Sequence, residues 1–154
     1  MFTQENLHKI EALKKRYPTM KAMTLPVLWM AQEQFGYISP EVMKYVAGLL
    51  NLPVHHVYGV VTFYTMFNTK PVGKYFLQVC TNVSCQLRGA ERIAGHICRR
   101  LGVRIGETTS DKKFTVVEVE CLGSCGTAPM MQVNDDYHEN LTGEKVDKLL
   151  AEFK

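Results

Sequence analysis

The fold is decided by two stretches, KYFLQVCTNVSC at residues 74–85 and KFTVVEVECLGSC at residues 113–125. Each begins with a short β-branched and aromatic run that is typical of a buried strand, and each run ends on a cysteine. A short loop then leads to a second cysteine. If the two strands are neighbours in one sheet, Cys80 and Cys121 emerge side by side, and each loop returns its second cysteine towards the first. The sequence therefore predicts two pairs of thiols at one edge of a sheet.

The spacing of these cysteines leaves three kinds of site open. Cys80 and Cys85 form a C-x4-C pair, and Cys121 and Cys125 form a C-x3-C pair. A structural zinc site takes four thiolates but usually draws them from tighter C-x2-C pairs. Disulfides are typical of secreted proteins, and no C-x-x-C redox motif is present. A [2Fe-2S] cluster takes two thiolates on each iron and is wider than one ion, so the longer loops favour it.

The segment between the two pairs reads as one helix. Residues 87–102, LRGAERIAGHICRRLG, place apolar residues at a helical period, with Gly102 as the C-cap. Because this helix would begin just past Cys85, we expect its positive N-terminal end to lie near an anionic centre.

The remainder of the C-terminal part predicts a hairpin and a closing helix. The hairpin covers residues 130–140 and turns at residues 134–136, and the helix over residues 142–153 is capped by Thr142. Residues 74–154 therefore predict a β-α-β-β-α domain.

The first part of the chain predicts only helices. Ser39 reads as an N-cap followed by a proline at the first helical position, which makes the third helix the clearest. We expect a helical domain over residues 1–70, with residues 68–74 as the linker. The predicted helices cover residues 5–17, 26–35, 39–51 and 52–67.

Composition narrows the class of protein. Of the 154 residues, 46% are hydrophobic and 21% charged, which is typical of a globular protein. The net charge of +3 is too small to indicate nucleic acid as the main partner. The densest apolar stretch, residues 25–31, is too short to span a membrane, and residues 1–17 show no secretory signal. We therefore expect a reducing compartment, where paired cysteines more often serve metal or redox chemistry.

Two longer stretches resemble a known family. Residues 25–85 and 106–142 are similar to the small [2Fe-2S] subunit of the NADH dehydrogenase module of respiratory complex I. The most specific part is VECLGSCGTAPMMQVND, residues 119–135. The resemblance covers roughly residues 20–150, nearly the whole chain.

This resemblance implies a fold, a site and a partner. It implies an α/β (α+β) fold, a thioredoxin-like ferredoxin domain preceded by a small helical bundle. It makes Cys80, Cys85, Cys121 and Cys125 the ligands of one [2Fe-2S] cluster. It also implies that the helical domain packs on a flavoprotein subunit that binds FMN and NADH. We expect a peripheral position on the cytoplasmic side of the inner membrane, without direct insertion, and the short N-terminus favours a bacterial or mature form.

The chain carries no complete active site that the sequence reveals. It has no G-x-G-x-x-G after a strand, no G-x-x-x-x-G-K-[ST] loop and no G-x-S-x-G elbow. This pattern favours an electron carrier within an enzyme. Two alternatives stay open: the equivalent subunit of an NAD-reducing hydrogenase or formate dehydrogenase, and a zinc-stapled adaptor without redox function.

Several other residues have simpler interpretations. We expect Cys98 to pack as a buried thiol, and His55, His56 and His96 to be polar surface residues. One of Met130 and Met131 should face the core or the cluster. Aromatic residues more often pack in the core, and a run of arginines is usually a solvated helix face that could form a basic flank. These two sets are Tyr58, Phe63, Tyr64 and Phe67, and Arg88, Arg92, Arg99, Arg100 and Arg104.

Overall fold

The computed structural model of the chain describes residues 1–153 and divides into two units, Met1–Pro71 and Val72–Lys154. The first unit contains four α-helices and one short 3-10 helix. The α-helices are α1 (Gln4–Lys14), α2 (Thr24–Phe35), α3 (Pro40–Leu50) and α4 (Val54–Phe63), and the 3-10 helix is Lys21–Met23.

Caps and breakers explain where these helices begin and end. The Ser39 hydroxyl accepts the Val42 N–H at 3.3 Å, so the predicted N-cap of α3 is confirmed. Gly36 ends α2 in the left-handed region at φ 81°. Helix α1 ends at Lys14, earlier than predicted, because Pro18 disfavours helical conformation in the residue before it.

Helix α4 also stops earlier than the predicted residue 67. Tyr64 takes an extended conformation, and the segment beyond it is bound by a side chain of α2. Gln32 donates to the Met66 carbonyl at 2.8 Å and accepts the Asn68 N–H at 2.6 Å. This long-range contact replaces the next helical turn. The interior of the first unit is apolar, and its largest fully buried side chains include Ile10, Met23, Leu28, Ile38 and Leu50.

The second unit is a sheet with helices. Its strands are β1 (Tyr75–Cys80), β2 (Phe114–Val119), β3 (Met131–Val133) and β4 (Asp136–His138). Its helices are α5 (Val83–Leu87), α6 (Ala90–Leu101) and α7 (Gly143–Glu152). The strand order is β2-β1-β3-β4, with β1 and β2 parallel and the other neighbours antiparallel.

This order has one helix and one strand more than the predicted β-α-β-β-α arrangement. The hairpin contributes both β3 and β4, and the predicted helix over residues 87–102 is divided in two. Gly89 takes φ 92°, a conformation that breaks the helix between α5 and α6. The predicted C-cap Gly102 and N-cap Thr142 are both confirmed.

The core of the second unit lies between the sheet and its helices. Helix α6 contacts β1 and β2, and it also contacts α7. The buried side chains include Leu77, Ile97, Val116, Met131 and Val146. The combination of helices with one four-stranded sheet confirms the predicted fold class. Within residues 1–153, no helix combines the length and the apolar character that a membrane span requires.

Candidate metal centre

The first cysteine of the candidate site ends a central strand. Cys80 is the last residue of β1 and is buried, and its N–H donates to the Met130 carbonyl at 3.2 Å. The predicted neighbouring strands are confirmed, since Cys80 lies opposite Val119 in the parallel register of β1 and β2. The prediction that β2 ends on Cys121 is wrong. The last ladder bond runs from the Thr81 N–H to the Val119 carbonyl at 3.0 Å, and beyond it the two segments separate.

The second cysteine lies inside a short helix, contrary to the expectation that a helix begins just past it. Asn82 caps α5, its side-chain oxygen accepting the Val83 N–H at 2.7 Å, so the helix begins before Cys85. Cys85 is only 2% exposed. The helix therefore carries the cysteine inward, and the dipole argument based on a later start does not apply.

The two buried thiols share a small apolar environment. Cys80 and Cys85 pack with Ala90, Ala128 and Met130. This burial raises the pKa of the Cys85 thiol to about 11, and interactions with Cys80 and Cys125 act in the same direction. A hydrogen bond with the Met130 backbone opposes them. A site that disfavours two neighbouring thiolates in this way calls for a cation to balance their charge.

The other cysteine pair lies on an exposed loop. Cys121 and Cys125 are both solvent-exposed, and Cys125 begins a 3-10 turn over Cys125–Thr127. Gly123 takes φ 76° and directs its N–H at the Cys121 sulfur, with a nitrogen-to-sulfur distance of 3.4 Å. Only glycine adopts this conformation without strain. One backbone N–H is thereby aimed at a candidate ligand.

Side chains from the hairpin hold this loop from outside. The Tyr137 hydroxyl donates to the Leu122 carbonyl at 2.7 Å. The Glu139 carboxylate accepts hydrogen bonds from the Ser124 hydroxyl and, at 2.6 Å, from the Thr127 hydroxyl. These two bonds lower the pKa of the Glu139 carboxyl below its ordinary value. Sequence reasoning missed this role, because hairpin residues give no local signal that they contact a loop more than ten positions earlier.

The donor chemistry of these residues fits an iron–sulfur cluster. The structure places Cys80 beside Cys85 and brings Cys125 within electrostatic reach of Cys85, whereas Cys121 stays exposed on its loop. Thiolate sulfurs are the ligands that iron–sulfur clusters take, two to each iron in the [2Fe-2S] type. Among the residues described, no three His, Cys, Asp or Glu side chains converge as they would around one metal ion.

The fifth cysteine and the histidines lie elsewhere. Cys98 is half-buried against the sheet core, and burial raises its pKa. His55 is exposed, and His56 is half-buried with its Nε2 3.4 Å from the Thr24 hydroxyl. The expectation for His96 is wrong. Its Nε2 lies 2.9 Å from the Asp147 carboxylate, so it links α6 to α7 rather than serving as plain surface.

The arginine run divides into two groups. Arg88, Arg92 and Arg99 line a cavity of about 500 Å³ beside the 128–130 segment, and none of its lining residues is acidic. The Arg88 guanidinium lies 3.5 Å from the Ala128 carbonyl. Arg100 and Arg104 instead pair with carboxylates, those of Asp147 and Glu107.

Buried and exposed side chains separate where the sequence did not distinguish them. Met130 packs beside Cys80 and Cys85, and Met131 packs in the sheet core, so both are fully buried. The expectation that the aromatic group packs in the core holds for Phe67 alone. The other three members lie on the face of the α4 segment that faces away from the core. Their exposed fractions are 57% for Tyr58, 77% for Phe63 and 38% for Tyr64.

The fold and the four thiols define a thioredoxin-like protein built around paired cysteines. The family model of the thioredoxin-like [2Fe-2S] ferredoxin matches residues 10–154. The chain belongs to this family. Family membership confirms the resemblance drawn from the sequence, and it supports an iron–sulfur cluster and an electron-transfer role for the chain.

Curated relatives match over nearly the full length. A subunit of the NADH-quinone oxidoreductase of Rickettsia felis is 45% identical over 155 residues, covering 99% of this chain and 93% of the relative. A subunit of the NADH-quinone oxidoreductase of Rhizobium meliloti is 46% identical over 146 residues, covering 95% and 87%. Both relatives are named as the same subunit of this oxidoreductase.

A solved structure shares the fold. The crystal structure of an air-oxidised NAD+-reducing [NiFe]-hydrogenase matches with a TM-score of 0.74 at 20% identity. The match covers 85% of this chain but 22% of the hydrogenase chain. At this identity the likeness concerns the fold alone.

Proposed function

We propose that this chain is the electron-transfer subunit of an NADH:quinone oxidoreductase and binds one [2Fe-2S] cluster through Cys80, Cys85, Cys121 and Cys125. The observation that carries the proposal is the pairing of these thiols on two loops that follow the neighbouring strands β1 and β2. The chain that holds them is similar to NADH-quinone oxidoreductase subunits along nearly its whole length. The cluster, when bound, supplies a store for a single electron.

The residues around the thiols suit such a store. The buried pair lies among apolar side chains that exclude water, and the Gly123 N–H donates towards sulfur. Donors aimed at sulfur favour the reduced form, and exclusion of water disfavours the added charge. The protein thus sets the potential by opposing contributions from its own groups.

We further infer that the electrons are exchanged with FMN on a flavoprotein subunit, which also binds NADH. A flavin takes two electrons as hydride and passes them on singly, so a one-electron store beside it is useful. The exposed aromatic side chains of Tyr58, Phe63 and Tyr64 on and after α4 support a protein partner at this face. The assembly would lie on the cytoplasmic side of the inner membrane.

The ligand assignment is tested by exchanging single cysteines. We expect Cys121→Ser, in the complex purified with its partner subunits, to lose or alter the electron paramagnetic resonance signal of the dithionite-reduced cluster. The signal must be compared with the iron, sulfide and flavin content of the same sample. Cys98→Ser is the matched control, since it removes the one cysteine outside the pairs and should keep the wild-type spectrum. A normal spectrum and potential in Cys121→Ser would refute the assignment of this ligand.

A further inference from the structure

The loop that carries the exposed thiols depends on the hairpin for its shape. Residues 121–127 contain a single backbone bond of their own, from the Thr127 N–H to the Ser124 carbonyl at 3.2 Å, among the bonds outside regular elements. Most of the polar groups that hold the loop come instead from β4 and the residues after it. An exposed loop with so few internal bonds would otherwise sample several conformations.

The contacts from the hairpin bracket both cysteines. Tyr137 binds the carbonyl of Leu122, the residue after Cys121. Glu139 binds the hydroxyls on either side of Cys125, those of Ser124 and Thr127. The loop is therefore held at three points around its two thiols.

Glu139 is itself held in place. The Lys145 ammonium donates to the Glu139 carbonyl at 2.5 Å, and the neighbouring Asn140 N–H donates to the Thr127 carbonyl at 2.7 Å. The next residue continues the attachment, since the Leu141 N–H donates to the Pro129 carbonyl at 2.9 Å. The carboxylate thus projects from a segment that runs along the cysteine loop and is bonded to it.

We propose that Glu139 and Tyr137 are positioning residues that hold Cys121 and Cys125 in the geometry required for ligating the cluster. This inference rests on the proposed function. Glu139 has a second consequence that Tyr137 lacks, because its carboxylate is a negative charge beside the loop that carries two of the candidate ligands. Such a charge opposes the addition of an electron to an anionic centre and lowers its midpoint potential.

Two variants separate the geometric from the electrostatic contribution. Tyr137→Phe removes one hydrogen bond to the loop and leaves the charge unchanged. Glu139→Gln removes the charge and leaves one acceptor oxygen where two hydroxyls donated. Since one hydrogen bond contributes about 0.5–1.5 kcal/mol, each variant should release iron to a chelator about two- to tenfold faster than wild type. Glu139→Gln alone should also raise the midpoint potential.

The matched control is Asp136→Asn. Asp136 is an exposed carboxylate on the same strand, and its side chain makes no hydrogen bond or ion pair within residues 1–153. Its exchange changes the net charge by the same amount without touching the loop. We expect wild-type iron release, an unchanged resonance spectrum and at most a small change in potential.

The measurements are made on the whole chain purified with its partner subunits. They are the rate of iron release to a chelator, the resonance spectrum of the reduced cluster and its midpoint potential in a redox titration. Faster release with a shifted spectrum in both variants supports positioning. Release rates and spectra equal to those of Asp136→Asn in both would overturn the inference while leaving the proposed function intact. A wild-type complex without a [2Fe-2S] signal would instead overturn the proposed function. Tyr137→Phe decides alone if Glu139→Gln fails to fold.

Discussion

Gly73 lies at the start of the second unit, where the backbone passes against the first residues of β2. A Cβ atom at this position would lie 2.8 Å from the backbone N and C atoms of Phe114. Its N–H donates to the Thr115 hydroxyl at 2.6 Å. Because the obstructing atoms are backbone, they cannot move aside as a flexible side chain would.

The first prediction follows from this close approach. We expect Gly73→Ala to lower the free energy of unfolding of the second unit by about 1–3 kcal/mol, the usual cost of forcing an extra methyl group into a packed site. Denaturation followed by the circular dichroism of the whole chain measures it. Gly95→Ala on α6 is the control, since its Cβ would meet only the end of the Arg99 side chain, at 3.4 Å. That variant should be neutral or stabilised, and equal losses in both would contradict the argument.

At this scale the sequence predicts the residue types of the site better than their surroundings. The candidate ligands follow from cysteine spacing and from the family resemblance. Nothing in the sequence indicates that Glu139 reaches Ser124, because the contact depends on where the hairpin folds back. His96 likewise reads as surface until α7 brings Asp147 to it.

Helix α7 closes the sheet unit and depends on its cap. The Thr142 hydroxyl accepts the Lys145 N–H at 3.2 Å, which satisfies one of the free N–H groups of the first turn. The same helix carries Asp147, the partner of His96 and Arg100. A weakened first turn would therefore loosen the contact between α7 and α6.

The second prediction tests this cap. Thr142→Ala should lower the free energy of unfolding of the second unit by about 1 kcal/mol, the typical cost of removing such a cap. Thr142→Ser keeps the hydroxyl and should stay close to wild type in the same urea denaturation experiment. If Thr142→Ser loses as much as Thr142→Ala, the hydroxyl is not the stabilising group.

Element boundaries were predictable where a local signal controls them. Ser39, Gly36 and Gly102 mark helix ends that the structure confirms. The end of α4 and the division between α5 and α6 were not predicted. Apolar periodicity runs through both places, and it is a side chain of another helix in one case and a backbone conformation in the other that stops the helix.

On the scale of the molecule, the cluster site concerns only one of the two units. The four candidate ligands all lie in Val72–Lys154, and the buried ones have an apolar environment separate from the main core of the sheet. Metal binding that gathers thiolates contributes to the stability of the region that binds it.

The third prediction concerns removal of iron. Chelation of the cluster should increase amide hydrogen exchange in residues 80–90 and 121–130, the two segments that hold the thiols. Exchange in helices α1 to α4 should stay unchanged, which gives an internal control within the same sample. Hydrogen exchange with mass spectrometry measures both. An equal increase throughout the chain would show that the cluster supports both units.

The sequence by itself determined the local features: helical and strand periods, most caps, and two cysteine pairs that follow strands. These depend on residues close together in the chain, where propensity and steric limits act directly. Only the tertiary structure decided that Cys80 lies opposite Val119, that the aromatic face of α4 is exposed, and that hairpin side chains hold the cysteine loop. Such contacts join residues far apart in sequence, and they form only where packing of the whole unit brings their donors and acceptors within bonding distance.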